Sequence, residues 1–410
     1  MGVLAIQWVM RKLLTFYCCV AGLTTSKLWH DTLRIFLTAY IPNCNRAILE
    51  PYLSWNATGV LMGGIMAGLV TDSLTPKKVF PFATGSICLL SFLLIGCFQY
   101  EYLNIPLWLK LGLVMTRGIF IAIAMNCAYV AVGNLYKNNT FLPTASNYLY
   151  MILFGTLAFA PLIIDKLPTK PAFMVFAGLM GILTLVLIKA VEKTEVQPVN
   201  ISKYFKSWPL LITRPEFLLT CFVSMICIGG FYNLVYIFTD ANLKLDYINN
   251  VSMLQSAGRQ FTFGVLACIY LLNIKFMQTS KDNCAQYMSV GMGIVSLGAL
   301  ILLFLHLNLP LGMPAEIIFL ICCICTGFAQ PAAKLAIISV SQKLGKNITG
   351  SAQSFVTLFN SLIEQQGVKL IMAYSYPGGA RAYLVILTLL AGLVSTGLYL
   401  RRKKINNYIS

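Results

Sequence analysis

Apolar stretches of about 20 residues or more recur along the chain, separated by short polar breaks. An α-helix rising 1.5 Å per residue crosses a bilayer's hydrocarbon core with about 20 residues. In order, the stretches are 13–41, 52–71, 79–99, 106–135, 142–164 and 170–190, then 216–239, 251–274, 284–307, 312–340, 348–373 and 379–400. A charged break at 191–214, with Lys193, Glu195, Lys203, Lys206 and Arg214, parts them into two sets of six. The pattern predicts an all-α integral membrane protein with 12 transmembrane helices. It divides into a six-helix bundle over 1–190, a cytoplasmic linker over 191–214 and a second bundle over 215–410 with a basic tail.

Composition agrees: of 410 residues 58% are hydrophobic and 10% charged, where a soluble domain carries about 25% charged residues. The net charge of +17 becomes informative once it is placed on this topology. With both termini inside, the inner loops and tails hold 18 Lys and Arg residues and the outer loops five. That is the positive-inside bias, so the basic excess reports orientation and calls for no nucleic-acid partner. The expected partners are the lipid bilayer and a small-molecule substrate, and the chain is expected to work as a monomer. Short loops and a compact linker suit a bacterial inner membrane.

Most of the 13 cysteines lie in apolar runs, where cysteine acts as a small hydrophobe. Cys44 and Cys284 fall in loops on opposite sides, so no disulfide framework follows. The CxxC spacing of Cys322 and Cys325 sits inside a span and reads as packing. The two histidines, His30 and His306, build neither HExxH nor a Ser–His–Asp set. No enzyme, metal site or bound cofactor is expected.

Ionisable groups inside the spans carry the chemistry. Each costs about 2.5–3.5 kcal/mol at mid-membrane by insertion scales, and is tolerated facing a bundle interior or wet cavity. Lys27, His30, Asp31 and Arg34 fall at i, i+3, i+4 and i+7, one stripe of the first span. Arg117 lies in span 4 and needs an acid. In the second half, Arg259, Lys334 and Glu364, with Tyr232, Asn233, Tyr236 and Gln330, offer polar and aromatic groups for a central substrate cavity. Basic residues in the spans (Lys27, Arg34, Lys110, Arg117, Arg259, Lys334, Lys369) outnumber the carboxylates Asp31, Glu316 and Glu364. This excess favours an anionic or zwitterionic solute over an organic cation.

Between spans 2 and 3 the chain reads Gly68-Leu69-Val70-Thr71-Asp72-Ser73-Leu74-Thr75-Pro76-Lys77-Lys78. This resembles the GxLxDrxGrk loop of the major facilitator superfamily. Gly68, Asp72 and Lys77 match, while Ser73 and Thr75 replace the usual arginine and glycine; 275–283 holds no second copy. The resemblance implies two pseudo-symmetric six-helix bundles rocking about a midplane site. It also implies an inner gate at Gly68, Asp72, Lys77 and Lys78, with Asp72 held by a helix end or an arginine of the other half.

Arg117 is similar to the span-4 arginine of the family's drug:proton antiporters, which lies near a span-1 carboxylate. Asp31 is the only carboxylate of span 1, so the resemblance pairs Asp31 with Arg117 for proton coupling, with His30 as a second titratable group. The antiporters' following glycine is replaced here, by Ile121 and Ala122. Their Gly-Pro run in span 5 survives only in outline, as Gly155 to Pro161 with Ala160 before the proline. Pro161 is then a kink that contributes to gating.

The expectation is a secondary active transporter, proton-coupled as symporter or antiporter. Its solute is a small organic anion or zwitterion, such as a nutrient or siderophore-like metabolite. The alternatives are a polyspecific drug or metabolite efflux antiporter, and a non-transporting sensor or scaffold on the same fold.

Overall fold

The computed structural model describes residues 2–41, 46–100, 104–136, 142–166, 169–191, 201–230, 233–234, 263–274, 283–308, 313–344, 348–373 and 378–409. Among them there is no strand. The helices are α1 Gly2–Asp31, α2 Leu33–Tyr40, α3 Arg46–Leu74, α4 Pro76–Gln99, α5 Leu107–Leu135, α6 Leu142–Lys166, α7 Thr169–Ala190, α8 Ile201–Ile212 and α9 Pro215–Met225. Then follow α10 Phe263–Ile274, α11 Cys284–Asn308, α12 Met313–Leu344, α13 Thr349–Ala373 and α14 Gly378–Ile409. Among the described residues seven helices are long and apolar enough to cross a membrane, or eight if the bent pair Lys206–Ile212 and Pro215–Gly230 is one span.

Several boundaries follow from local chemistry. The chain is helical from Gly2, well before the predicted start of the first span at residue 13. That span also breaks at Thr32, whose Oγ1 donates to the Leu28 carbonyl at 2.7 Å. Threonine back-bonding of this kind bends helices. The break falls between Asp31 and Arg34, so the predicted stripe is not one uninterrupted helix face. α3 stops at Leu74 because Pro76 opens α4 and a residue before proline is driven out of the α region. Thr75 takes up the reversal with a φ of 67°.

Span 7 also departs from a uniform α-helix. α9 gives way to a π turn at Ile226–Gly230. There Gly229 packs on the Asn360 carbonyl and the Ile363 side chain, and the Gly230 carbonyl accepts from Tyr383 at 3.0 Å. The linker, read as a polar break, folds into α8. Its Trp208 ring lies 4.5 Å from Phe355, and the Ser207 hydroxyl donates to Ser351 at 3.3 Å.

Two compact units emerge. The first comprises Met1–Asn138, Phe159–Trp208 and Lys346–Leu358; the second comprises Asn139–Ala158, Pro209–Gly345 and Phe359–Ser410. The sequence reading divided the chain only at 191–214. Here α6 and α13 each contribute part of their length to both units.

The first unit is built on close backbone packing of α3 against α5. A Cβ on Gly59 or Gly63 would run into the backbone at Met115 and Ile119, and one on Gly118 would meet the Asn56 carbonyl at 2.6 Å. Small residues four apart let membrane helices approach in this way. Outward faces are apolar. Val175, Leu179, Ile182 and Val186 form an exposed stripe along α7, suited to lipid and not to water.

In the second unit, Glu216 at the start of α9 binds Arg401 of α14 at 2.6 Å. Asn406 of α14 accepts from the Ala285 N–H at 3.0 Å, covering one of the free donors at the start of α11.

Candidate transport site and gate

The segment 68–78, which joins the end of α3 to the start of α4, sits in the first unit. Asp72 is 4% exposed and faces the N-terminus of α13. Its Oδ1 accepts from the Gly350 N–H at 2.9 Å, and its Oδ2 from the Ser351 N–H at 2.9 Å and the Ser351 hydroxyl at 2.7 Å. The first N–H groups of a helix have no internal partner, and the helix dipole favours an anion there. One carboxylate thus satisfies two orphan donors and a hydroxyl. Gly350 is glycine because a Cβ would collide with the Asp72 carboxylate. Gly68, one turn before Asp72, is small for the same reason: a Cβ there would meet Ser354 and the backbone of Gly350 and Ser351. Of the basic pair, Lys78 is exposed and Lys77 half-buried.

Asn126 of α5 completes this latch. It accepts from Thr71 Oγ1 at 3.3 Å and donates to the Gly350 carbonyl and Ser354 Oγ, both at 3.4 Å. The residues 349–358 held in this way belong to the first unit, while the rest of α13 belongs to the second.

The first-span stripe also lies in the first unit. Lys27 is 8% exposed. His30 is half-buried, and its Nδ1 accepts from Asn56 Nδ2 at 2.9 Å. The side chains of Asp31 and Arg34 lie outside the described residues. Arg117 is 0% exposed, and its guanidinium carbon lies 5.3 Å from the centroid of the Trp29 ring. Trp29 is in turn stacked on Phe176 at 4.8 Å. None of the three side-chain nitrogens of Arg117 has a hydrogen-bond partner among the described residues.

The Major Facilitator Superfamily model matches residues 51–363, most of the chain. The chain belongs to the Major Facilitator Superfamily. Solved structures share its fold. A Major Facilitator Superfamily transporter, FucP, in the outward conformation aligns with a TM-score of 0.71 at 11% identity, over 95% of this chain and 99% of that one. A bacterial homologue of the iron transporter ferroportin, outward-facing and soaked with iron, aligns with a TM-score of 0.69 at 11% identity, over 95% and 98%. At such identity the likeness concerns fold alone. No curated protein sequence matches the chain.

Polar side chains also meet inside the second unit. Gln330 of α12 is fully buried, its Nε2 donating to Tyr150 Oη at 3.1 Å and Ser224 Oγ at 3.2 Å. Tyr150 stacks on Tyr270 at 5.2 Å, and Asn273 Nδ2 donates to Asn147 Oδ1 at 3.2 Å, so α6 and α10 meet through rings and amides. Lys334, one turn after Gln330, is 4% exposed. Asn233 donates to the Ile363 carbonyl at 2.9 Å. This cross-link, with Gly367 against the Asn233 amide, marks Asn233 as a staple between broken span 7 and α13. Tyr232, Tyr236 and Arg259, and the side chains of Glu364 and Pro161, lie outside the described residues; α6 runs helical through position 161. Among the described residues no group of His, Cys, Asp and Glu could hold a metal ion.

The sequence reading missed Asn126, Ser351, Tyr150 and Ser224. Each is a single polar residue in a span, a weak signal until its partner is known. The Thr349-Gly350-Ser351 start of α13 was the one local clue, since small and hydroxyl residues favour helix N-termini.

Proposed function

We propose that this protein is a proton-coupled secondary active transporter that carries a small organic anion or zwitterion by alternating access. The observation that carries the reading is the Asp72 latch on the start of α13. Its bonds run between the last turn of α3 and the first turn of α13, so they can open and re-form without unfolding a span. That is the property a gate requires. Asp31 is the coupling acid in this proposal, with His30 as its neighbour on the stripe. Lys27 in the first unit and Lys334 in the second, both buried, each give the interior of their own unit a positive character. The protein works as a monomer without a bound cofactor, in a bacterial inner membrane, with both termini cytoplasmic.

Flux in proteoliposomes under an imposed pH gradient tests this. Asp31→Asn is expected to abolish gradient-driven accumulation while leaving insertion unchanged. Normal pH-dependent uptake by that variant removes Asp31 from coupling. No flux of any anionic, zwitterionic or cationic candidate by correctly inserted protein favours a sensor or scaffold instead.

A further inference from the structure

Arg117 is the least compensated group in the described residues. A guanidinium keeps its charge in any protein setting and carries five N–H donors in a rigid fork. Here it is 0% exposed within a membrane span, and all three of its nitrogens lack a hydrogen-bond partner among the described residues. The Trp29 ring, 5.3 Å from its central carbon, attracts the cation through its π face but accepts no N–H bond in the guanidinium plane. Two further polar atoms of the same unit are buried without partners among the described residues: Trp29 Nε1, and Oδ1 of the Asn56 that holds His30. Trp29 faces Arg117 directly. The backbone of Asn56 packs against Gly118, the residue after Arg117, where an added Cβ would sit 2.6 Å from the Asn56 carbonyl. Among the described residues unsatisfied donors therefore outnumber acceptors, and the helices that carry Asn56 and Arg117, α3 and α5, touch backbone to backbone.

We infer that Arg117 is the seat of the transported solute's carboxylate, received in the plane of the guanidinium beside Trp29. This rests on the transporter reading and makes it specific. A carboxylate matches the guanidinium fork with two parallel N–H···O bonds. The Trp29 ring lies against the guanidinium, and its Nε1–H is a further donor without a partner among the described residues. Arg117 is then a specificity residue that selects anions, and no longer simply the holder of Asp31.

The test uses purified full-length protein, with benzoate as probe and benzamide as its uncharged isostere, read by thermal unfolding across a concentration series. Benzoate is expected to stabilise the parent protein, and benzamide to do so at least about 10-fold more weakly, the factor a charge-assisted hydrogen bond supplies. Arg117→Gln should remove the difference between the two probes. Arg117→Lys, which keeps charge but loses the fork, should weaken benzoate by roughly 10-fold. Trp29→Phe keeps the ring and deletes the Nε1 donor. It serves if the arginine variants do not fold, and should weaken benzoate by a few-fold. Equal stabilisation by both probes, or a benzoate effect indifferent to Arg117 and Trp29, overturns the inference. So does a benzoate effect that appears only in Asp31→Asn, since Arg117 would then be committed to Asp31. Flux is scored separately: a benzoate seat without transport sinks the transporter reading alone, and gradient-driven flux with no dependence on Arg117 sinks the seat alone.

Discussion

Asp72→Asn is expected to release the start of α13 and to hold the protein with its gate open. The carboxylate accepts three hydrogen bonds from Gly350 and Ser351. Asparagine keeps the volume but offers one oxygen, and turns an NH2 toward groups that are themselves donors. A hydrogen bond to a charged group contributes about 1.5–3 kcal/mol, and an anion at a helix N-terminus adds about 0.3–1 kcal/mol. A net loss of only about 3 kcal/mol moves a two-state equilibrium by roughly 100-fold. The readout is thiol labelling at Ala352→Cys, located by mass spectrometry because native cysteines are present. Ala352 is 0% exposed, so labelling should be slow with Asp72 intact and at least about 10-fold faster with Asn, in line with the population shift. Gly350→Ala should act in the same direction from the other side, since its Cβ would occupy the carboxylate's place. Unchanged labelling in both variants would mean that Asp72 caps a helix without gating anything.

The latch also shows how far a sequence reading reaches. Asp72 was legible because its neighbours Gly68 and Lys77 form a local pattern. Its partner was not, because Gly350 lies 278 residues further on and nothing in either segment names the other. Hydrophobic runs of membrane length made the helices legible, as in α4 and α5. The same criterion hid α8: Ile201, Tyr204, Phe205, Trp208 and Leu211 recur at helical spacing, but among enough charge to resemble a linker. It likewise hid the helical start at Gly2, whose first residues are too few to make a span. The π turn in span 7 had a clue in Gly229-Gly230, yet hydropathy cannot distinguish a helix that changes its winding from one that does not. The Arg117 reading was half legible. Sequence alone showed that the arginine needed an anion, but not that Trp29 covers it.

Gly63→Leu is expected to destabilise the first unit strongly and to displace the solute seat with it. A Cβ at Gly63 would already meet the Ile119 backbone and lie 2.9 Å from the Ala122 Cβ. A whole isobutyl group must push α3 and α5 apart, because backbone cannot step aside as a flexible side chain can. Overpacking of this kind costs about 1–3 kcal/mol, occasionally more. Two glycines provide the control: a Cβ at Gly96 or Gly112 meets nothing within 4 Å, so leucine there should stay within about 0.5 kcal/mol of the parent. Thermal unfolding of purified protein reads both. Arg117 and Gly118 lie on the stretch of α5 that Gly59 and Gly63 hold, so separating the helices also moves the guanidinium from beneath Trp29. Gly63→Ala, mild enough to fold, should therefore lose benzoate discrimination before it loses the fold. A Gly63→Leu protein as stable as Gly96→Leu would show that the α3–α5 seam can open, and that the position of Arg117 is not fixed by it.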